Sequence, residues 1–184
     1  MRIIITQNMT LDGRVEMLDD WFDPQSQDEE LSAELMRQSA NEEVLLLGRQ
    51  TFEDFRGYWP LQTDDTTGVA AHLNQIDKRV VSTTLTEPGW QNTTVIREDP
   101  LQAVAALRDE RGRDVILTGS ITLAHALIAA DLVDEYRMFT YPAWQGRGRG
   151  FFPDDARPPR LRLLDSKSFA SGVVYSAYEP TGIT

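Results

Sequence analysis

The chain has 184 residues, 41% of them apolar, which suits one domain with a sizeable core. Its 29 acidic and 18 basic residues give a net charge of −11, which argues against nucleic acid and anionic membranes as partners. The absence of cysteine excludes disulfides and thiolate metal sites, and without a long apolar segment we expect a soluble cytoplasmic protein.

Strands and helices alternate along most of the chain. Short β-branched runs predict strands, and segments with apolar residues at helical spacing predict helices. In chain order we predict strand 2–9, helix 23–40, strand 43–48, a helix that begins near residue 49, strands 78–85 and 93–97, helix 99–112, strand 114–120, helix 121–133, strand 134–144, and strands 160–169 and 172–180. Segments 62–72 and 142–159 are predicted as irregular connections.

This order predicts an α/β sandwich of three layers, in which helices cover a mostly parallel sheet. The last two strands would form an antiparallel hairpin that turns near residues 170–172. In helix 23–40, Leu31, Leu35 and Met36 fall at helical spacing, which indicates an apolar face. No shift in composition divides the chain, so residues 1–184 are predicted as one domain.

Small and polar residues lie at the carboxyl ends of three of the predicted strands. Ligands of open α/β sheets bind beyond the carboxyl ends of parallel strands, and a helix N-terminus favours phosphate. The three segments are residues 48–51, 82–84 and 118–120. In these segments Arg49 would add a charged fork of donors, and Gly119 would let a diphosphate approach the backbone. The alternative is purely structural, with Arg49 paired to a surface acid and Thr51 capping a helix.

Seven segments, taken together in their order, carry a family resemblance. They are TLDG (10–13), LLLGRQTFE (45–53), YWP (58–60), RVVSTTL (79–85), VILTGSITLAHAL (115–127), LVDEYRMFTYPAWQGRGRGFF (132–152) and SKSFASGVVYSAYEP (166–180). The chain resembles the dihydrofolate reductase-like superfamily. More closely, it resembles the reductase domain at the C-terminus of bifunctional riboflavin-biosynthesis deaminase-reductases, and their stand-alone relatives. The resemblance implies a dihydrofolate reductase-like mixed sheet.

The resemblance also implies a reductase that takes hydride from NADPH. It assigns a cofactor phosphate to Gly48, Arg49 and Thr51. It assigns the adenosine ribose and its 2′-phosphate to Ser82, Thr83 and Thr84. It assigns the pyrophosphate and the nicotinamide side to Gly119, Ser120, Ile121 and Thr122. The residues alone and the resemblance therefore point to the same three places.

Two carboxylates are candidates for orienting the substrate or relaying a proton. Asp12 lies in TLDG and matches an aspartate on the substrate side of riboflavin-type reductases, although Asp12-Gly13 is also an ordinary turn sequence. Asp28, with Glu29 or Glu30 as alternates, lies where dihydrofolate reductases carry their pteridine-binding acid. The tryptophan and proline that precede that acid would be Trp21 and Pro24. Acids in a first helical turn also serve the helix dipole, which is the alternative for Asp28.

The substrate is expected to be a small flat heterocycle, and Trp59 is the aromatic residue selected to stack on it. Riboflavin-type reductases commonly have Glu-Gly-Gly where this chain has Thr118-Gly119-Ser120. The best named activity is 5-amino-6-(5-phosphoribosylamino)uracil reductase, and dihydrofolate reductase is the second. A non-catalytic nucleotide-binding protein on the same fold is the alternative of another class. We expect a homodimer formed through strand 134–144 and the C-terminal hairpin, and no metal site.

Overall fold

The computed structural model describes residues 1–23, 28–65, 67–154 and 160–181. Its strands are β1 (Arg2–Thr10), β2 (Glu42–Gly48), β3 (Asp77–Val81), β4 (Thr93–Ile96), β5 (Asp114–Leu117), β6 (Glu135–Tyr141), β7 (Leu161–Ser168) and β8 (Val174–Pro180). Its helices are α1 (Glu29–Ser39), α2 (Arg49–Tyr58), α3 (Val69–Gln75), α4 (Pro100–Asp109) and α5 (Ile121–Ala129), and a 3-10 turn spans Trp59–Leu61. No helix within the described ranges is long and apolar enough to cross a membrane.

The eight strands form one mixed sheet in the order β4-β3-β2-β5-β1-β6-β8-β7. The pairings from β4 to β6 are parallel, whereas β8 is antiparallel to both β6 and β7. This arrangement confirms the predicted α/β fold with an antiparallel C-terminal hairpin. The hairpin turns at Gly172, which has a φ of 83°. Glycine adopts this positive φ readily because it has no β-carbon.

The apolar residues of β1 divide the core between the two faces of the sheet. Ile3 and Ile5 pack with residues of α4 and α5, while Ile4 packs with residues of α2 and α3. Successive side chains of a strand point to opposite faces, so a continuous apolar run such as Ile3–Ile5 serves both layers. Helices on both faces leave the carboxyl ends of the parallel strands as the open edge.

The inner face of α1 differs from the predicted apolar face. Leu31 is buried, but the side chains of Leu35 and Met36 are 42% and 44% exposed. Glu34 and Gln38 are buried instead. The Glu34 carboxylate accepts hydrogen bonds from Gln38, Arg37 and Lys167, and these bonds offset the cost of burying it.

Several boundaries also differ from the prediction. The strand predicted over residues 78–85 ends at Val81, because the Ser82 hydroxyl accepts the N–H groups of the next residues and turns the chain. Part of the predicted connection 62–72 is helical, since α3 begins at Val69. Thr66, in that connection, and residues 155–159, in the connection 142–159, lie outside the described residues.

Candidate cofactor and substrate site

The carboxyl ends of β2, β3 and β4 lie side by side at one edge of the sheet. Gly48 pairs with Val81, and Val81 pairs with Ile96, so the three strands end at the same level. On the other side of β2, Leu46 pairs with Leu117, the last residue of β5. The predicted segments 48–51, 82–84 and 118–120 therefore emerge from neighbouring strands.

The N-termini of α2 and α5 converge at this edge. Gly48 precedes α2, and a β-carbon on Gly48 would overlap that of Ser120, which precedes α5. Only glycine at residue 48 permits this approach. The Ser120 hydroxyl accepts the N–H of Leu123, whereas no side chain caps the start of α2. The backbone N–H groups at the start of α2 and those at the start of α5 therefore lie close together, and such an arrangement is suited to binding an anion.

The Gly119 turn brings the Thr51 hydroxyl into the same place. Gly119 has a φ of +67°, and a β-carbon there would lie 2.9 Å from Thr51 Oγ1. The Gly119–Ser120 peptide bond is cis. Ile121 and Thr122 then form the first turn of α5. The structure thus brings together the residues predicted around the first and third strand ends.

The side chain of Arg49 lies at this edge but has a partner. Its Nη1 donates to Glu53 Oε2 at 2.7 Å, one turn further along α2, and the side chain is 45% exposed. The predicted structural alternative, in which Arg49 pairs with a surface acid, is therefore observed. An exposed pair with this spacing contributes only about 0.3–0.5 kcal/mol, so a phosphate group can replace the carboxylate.

The Ser82–Thr84 segment forms a tight turn beside Gly48. The buried Ser82 hydroxyl accepts the N–H of Thr84 at 3.2 Å and that of Leu85 at 2.9 Å. Thr83 and Thr84 are exposed. Ser82 consequently shapes the turn, and the two threonines present their hydroxyls to solvent at the open edge.

Strand β1 continues past the end of its neighbour β5. Its pairing with β5 ends at Ile5, whereas its pairing with β6 continues to Thr10. Because Ile4 faces α2 and α3, alternation places Thr6 and Asn8 on that same face, and both are half-buried. Sequence reasoning did not select Asn8. The difference in strand length, nine residues for β1 and four for β5, emerges only in the structure, because the sequence predicted strands 2–9 and 114–120.

Asp12 connects two loops at the carboxyl end of β1. Its Oδ1 accepts the Thr10 hydroxyl at 2.6 Å and the Gln145 N–H at 3.2 Å, and its Oδ2 accepts the Gly146 N–H at 2.8 Å. The Thr10 hydrogen bond, aided by those backbone donors, lowers the pKa of Asp12 to about 2. Asp12 is therefore ionised at neutral pH, and its oxygens are already occupied by donors.

Asp28 begins helix α1. Its Oδ1 accepts the Leu31 N–H at 3.0 Å, and its Oδ2 accepts the Ser171 N–H at 2.9 Å. Hydrogen bonds from Ser171, followed by that from Leu31, hold the pKa of Asp28 below its usual value. This geometry matches the capping alternative and also ties α1 to the β7–β8 turn. Of the residues predicted to precede it, Pro24 lies outside the described residues.

Trp59 and Trp21, named in the sequence analysis, lie apart from the edge where α2 and α5 begin. Trp59 packs against Phe55 and Tyr58, at the opposite end of α2 from Arg49. Trp21 donates its Nε1–H to Gln145 Oε1 at 2.9 Å, in the loop that Asp12 holds. The structure therefore places both tryptophans away from the N-terminus of α2.

A family model described as the RibD C-terminal domain matches residues 1–175. The uncharacterized protein YyaP of Bacillus subtilis is 28% identical over 183 residues, which are 98% of this chain and 96% of that protein. A crystal structure of a putative riboflavin biosynthesis protein from Shewanella superposes with a TM-score of 0.74 at 18% identity, covering 99% of this chain and 100% of that one. A pyrimidine reductase-like protein from Corynebacterium diphtheriae superposes with a TM-score of 0.69 at 13% identity, covering 99% and 92%. These two structures establish the likeness in fold.

Proposed function

Because this chain belongs to the RibD C-terminal domain family, we propose that it is a reductase that transfers hydride from NADPH to a pterin-like or aminopyrimidine substrate. The observation that carries the proposal is the convergence of Gly48 and Ser120, which directs two helix N-termini to one place. Within this class, 5-amino-6-(5-phosphoribosylamino)uracil is the best named substrate, and dihydrofolate is the second.

The residues at the open edge fit the phosphates of a dinucleotide. Gly48 and Gly119 let the side chains of Ser120 and Thr51 approach the backbone closely, so that their hydroxyls lie beside these two turns. Ile121 and Thr122 would contribute backbone N–H groups from the first turn of α5. Thr83 and Thr84 would contact the adenosine ribose. When bound, the nicotinamide would supply the hydride, and the protein would supply position and electrostatics.

The substrate would lie beside the part of β1 that β5 leaves without a partner. Residues 6–10 form this part of the strand, and Asn8 offers an amide that can both donate and accept hydrogen bonds to an aminopyrimidine edge. Trp59 would stack on the heterocycle from the end of α2. Ionised Asp12 would hold the loop around Gln145 and Gly146 in place, rather than donate the proton itself.

One observation favours a second candidate, a nucleotide-binding protein that lacks the reaction. Neither predicted carboxylate is set up as a proton donor, because the pKa of Asp12 is about 2 and that of Asp28 is also lowered. Turnover distinguishes the two candidates. The purified protein is incubated with NADPH together with one acceptor at a time, namely dihydrofolate, dihydropterin or the phosphoribosylaminouracil, and with NADPH alone. Consumption of NADPH that depends on one of them supports the reductase, whereas nucleotide binding without consumption supports the second candidate.

We also propose a homodimer. Strand β6 lies inside the sheet between β1 and β8, so the predicted pairing through strand 134–144 is not available as an edge. The outer edge beside the hairpin is β7, and it carries the exposed side chains of Leu163 and Leu164. Pairing through β7 would cover this edge. A sedimentation measurement that gives a species of 20.8 kDa at micromolar concentration would contradict the dimer.

A further inference from the structure

We propose that the groove between α1 and β7 binds the phosphate group of a small molecule. The groove has a volume of about 630 Å³, which is within the range of small-molecule sites. Its lining includes Glu30, Glu34 and Arg37 from α1 and Ser166, Lys167 and Ser168 from β7. Strand β7 is the outer strand at the opposite end of the sheet from β4, so the groove lies apart from the proposed cofactor edge. The proposal therefore goes beyond the reductase and does not depend on it.

A buried carboxylate holds the two cations of this groove side by side. Glu34 is 4% exposed, and its Oε2 accepts Arg37 Nε at 3.0 Å and also the Lys167 ammonium. Its Oε1 accepts Gln38 Nε2 at 2.7 Å and also Arg37 Nη2. Burial opposes the ionisation of Glu34, but these hydrogen bonds outweigh it and lower the pKa to about 2. Glu34 is therefore ionised at neutral pH and keeps both cations in place.

Both cations keep donors that no residue in the described part of the chain uses. Arg37 has five N–H groups and gives two to Glu34, which leaves three. Lys167 has three and gives one to Glu34, which leaves two. The two side chains are 60% and 41% exposed, so a ligand can reach them. The hydroxyls of Ser166 and Ser168 line the same groove, and neither bonds to another described residue.

The burial of Glu34 is a departure from the local sequence pattern. The spacing of Leu35 and Met36 predicted an apolar inner face for α1, yet both are exposed and the carboxylate faces inward. Packing alone would be served as well by an apolar residue there, because replacing a buried ionic network with apolar side chains is often neutral or stabilising. Such departures are expected at functional sites. We therefore assign Glu34 the role of presenting Arg37 and Lys167 to a ligand.

A phosphate group fits this set of donors. A phosphate monoester has three terminal oxygens and a charge of about −1.5 to −2 at neutral pH, so it can accept hydrogen bonds from both cations and from the hydroxyls. Because Glu34 already fixes the two cations, they lose little conformational freedom on binding. The lining also includes the exposed acid Glu30, which pairs with no cation among the described residues. Its charge opposes an anion, so its removal should strengthen binding.

The test follows the backbone amides of residues 166–169 by NMR while the full chain is titrated with inorganic phosphate, ribose 5-phosphate or succinate. The first two probes distinguish a free phosphate from a phosphate ester, and succinate offers two carboxylates instead. We expect both phosphates to shift these amides with a Kd on the order of 1 mM, and succinate to bind at least about tenfold more weakly. Tighter binding of ribose 5-phosphate than of inorganic phosphate would assign the site to an ester.

The variants test the cations of the groove against matched controls. Lys167→Gln should weaken phosphate binding about tenfold, whereas Lys167→Arg keeps the charge and should retain it. Arg162→Gln should change nothing, because Arg162 lies on the same strand but pairs with Glu179. Arg49→Gln should also leave the shifts of residues 166–169 unchanged, which separates this groove from the cofactor edge. Glu30→Gln should strengthen binding about twofold.

Three results would overturn the proposal. Phosphate at up to about 50 mM, far above the expected Kd, may leave these amides unshifted; succinate may shift them as strongly as phosphate; or Lys167→Gln may bind like the wild type. Circular dichroism checks that Lys167→Gln is folded, as expected since Arg37 and Gln38 still satisfy Glu34. If it does not fold, Arg37→Gln takes its place, with the same expected loss. None of these results bears on the reductase.

Discussion

Gly48 and Ser120 approach so closely that a β-carbon on Gly48 would lie 2.9 Å from the Ser120 hydroxyl oxygen and would overlap the Ser120 β-carbon. Gly48 is the last residue of β2 and precedes α2, whereas Ser120 comes after the neighbouring strand β5 and precedes α5. This contact sets the distance between the two helix N-termini. The φ of Gly48 is −81°, which any residue can adopt. Glycine is needed at this position because the Ser120 side chain occupies the space of a β-carbon, and the proposed phosphate site depends on that approach.

Gly48→Ala should disrupt the site by steric overlap with Ser120. We expect a loss of about 1–3 kcal/mol in the free energy of unfolding, and a loss of nucleotide affinity, because the two strand ends must separate. Gly57→Ala is the matched control, since Gly57 lies in α2 and a β-carbon there meets nothing within 4 Å. It should stabilise the helix by about 0.5–1 kcal/mol. Urea unfolding followed by tryptophan fluorescence measures both, and equal stabilities would contradict the overlap.

Glu53→Gln should strengthen the binding of NADPH. The Glu53 carboxylate holds Arg49 through its Nη1, so its removal leaves the guanidinium available to phosphate. We expect affinity to rise about twofold to fivefold, as suits a weak exposed pair. Asp54→Asn removes the same charge from the same helix, but Asp54 contacts Gln50 rather than Arg49. A similar gain in Asp54→Asn would show a general charge effect and would count against Arg49.

Asp12→Asn should lower the free energy of unfolding at neutral pH and should reduce the loss of stability that occurs as the pH falls. The pKa of Asp12 in the folded protein is about 2, below the ordinary value of 3.8. Its contribution to stability is therefore present above about pH 4 and is lost as the pH falls toward 2. Urea unfolding of both proteins at pH 7, 4 and 2 measures this contribution. A difference that stays constant over this range would mean that the charge of Asp12 plays no part.

Lys78 should make stability rise with pH in the alkaline range. Its buried ammonium donates to the carbonyls of Leu73 and Ile76 at the end of α3, and it lies 4.6 Å from the Trp90 ring centre. Burial lowers the pKa of Lys78 from 10.5 to about 8. Between these values the unfolded chain binds more protons, so the folded state gains stability as the pH rises.

The measurement for Lys78 is the difference in unfolding free energy between the wild type and Lys78→Met. This difference should increase from pH 8 to 10.5 in favour of the wild type. The comparison cancels the tyrosines Tyr136, Tyr141 and Tyr175, since burial raises the pKa of each to about 12 in both proteins. If the difference in unfolding free energy stays constant across this pH range, the pKa of Lys78 is not lowered in the folded protein.

The open edge could be predicted from the sequence because it depends on local patterns. Apolar runs that end in Gly48 and Thr118-Gly119-Ser120 mark both the strand ends and the following helices. The resemblance placed these segments in one fold, and the structure brings Gly48 and Ser120 together. These features require only the order of the strands and the identity of the residues at their ends.

Other features depend on tertiary contacts that no local pattern carries. The burial of Glu34 requires Lys167, which lies more than a hundred residues away on β7. The hydrogen bond from the Ser82 N–H to the Ile96 carbonyl requires the register of β3 and β4. Asn8 has no partner on β5 because β5 ends beside Ile5. Each of these depends on the pairing of distant segments, and single-sequence patterns do not specify register.

The most direct test of the proposed function is a titration of the protein with NADPH and, separately, with NADH, followed by quenching of its four tryptophans. The account predicts micromolar binding of NADPH, weaker binding of NADH, and loss of the preference in Arg49→Ala. A Kd of about 1 mM corresponds to only about 4 kcal/mol of binding free energy. If neither nucleotide binds at concentrations up to about millimolar, the site is not a nicotinamide-nucleotide site and the reductase proposal is wrong.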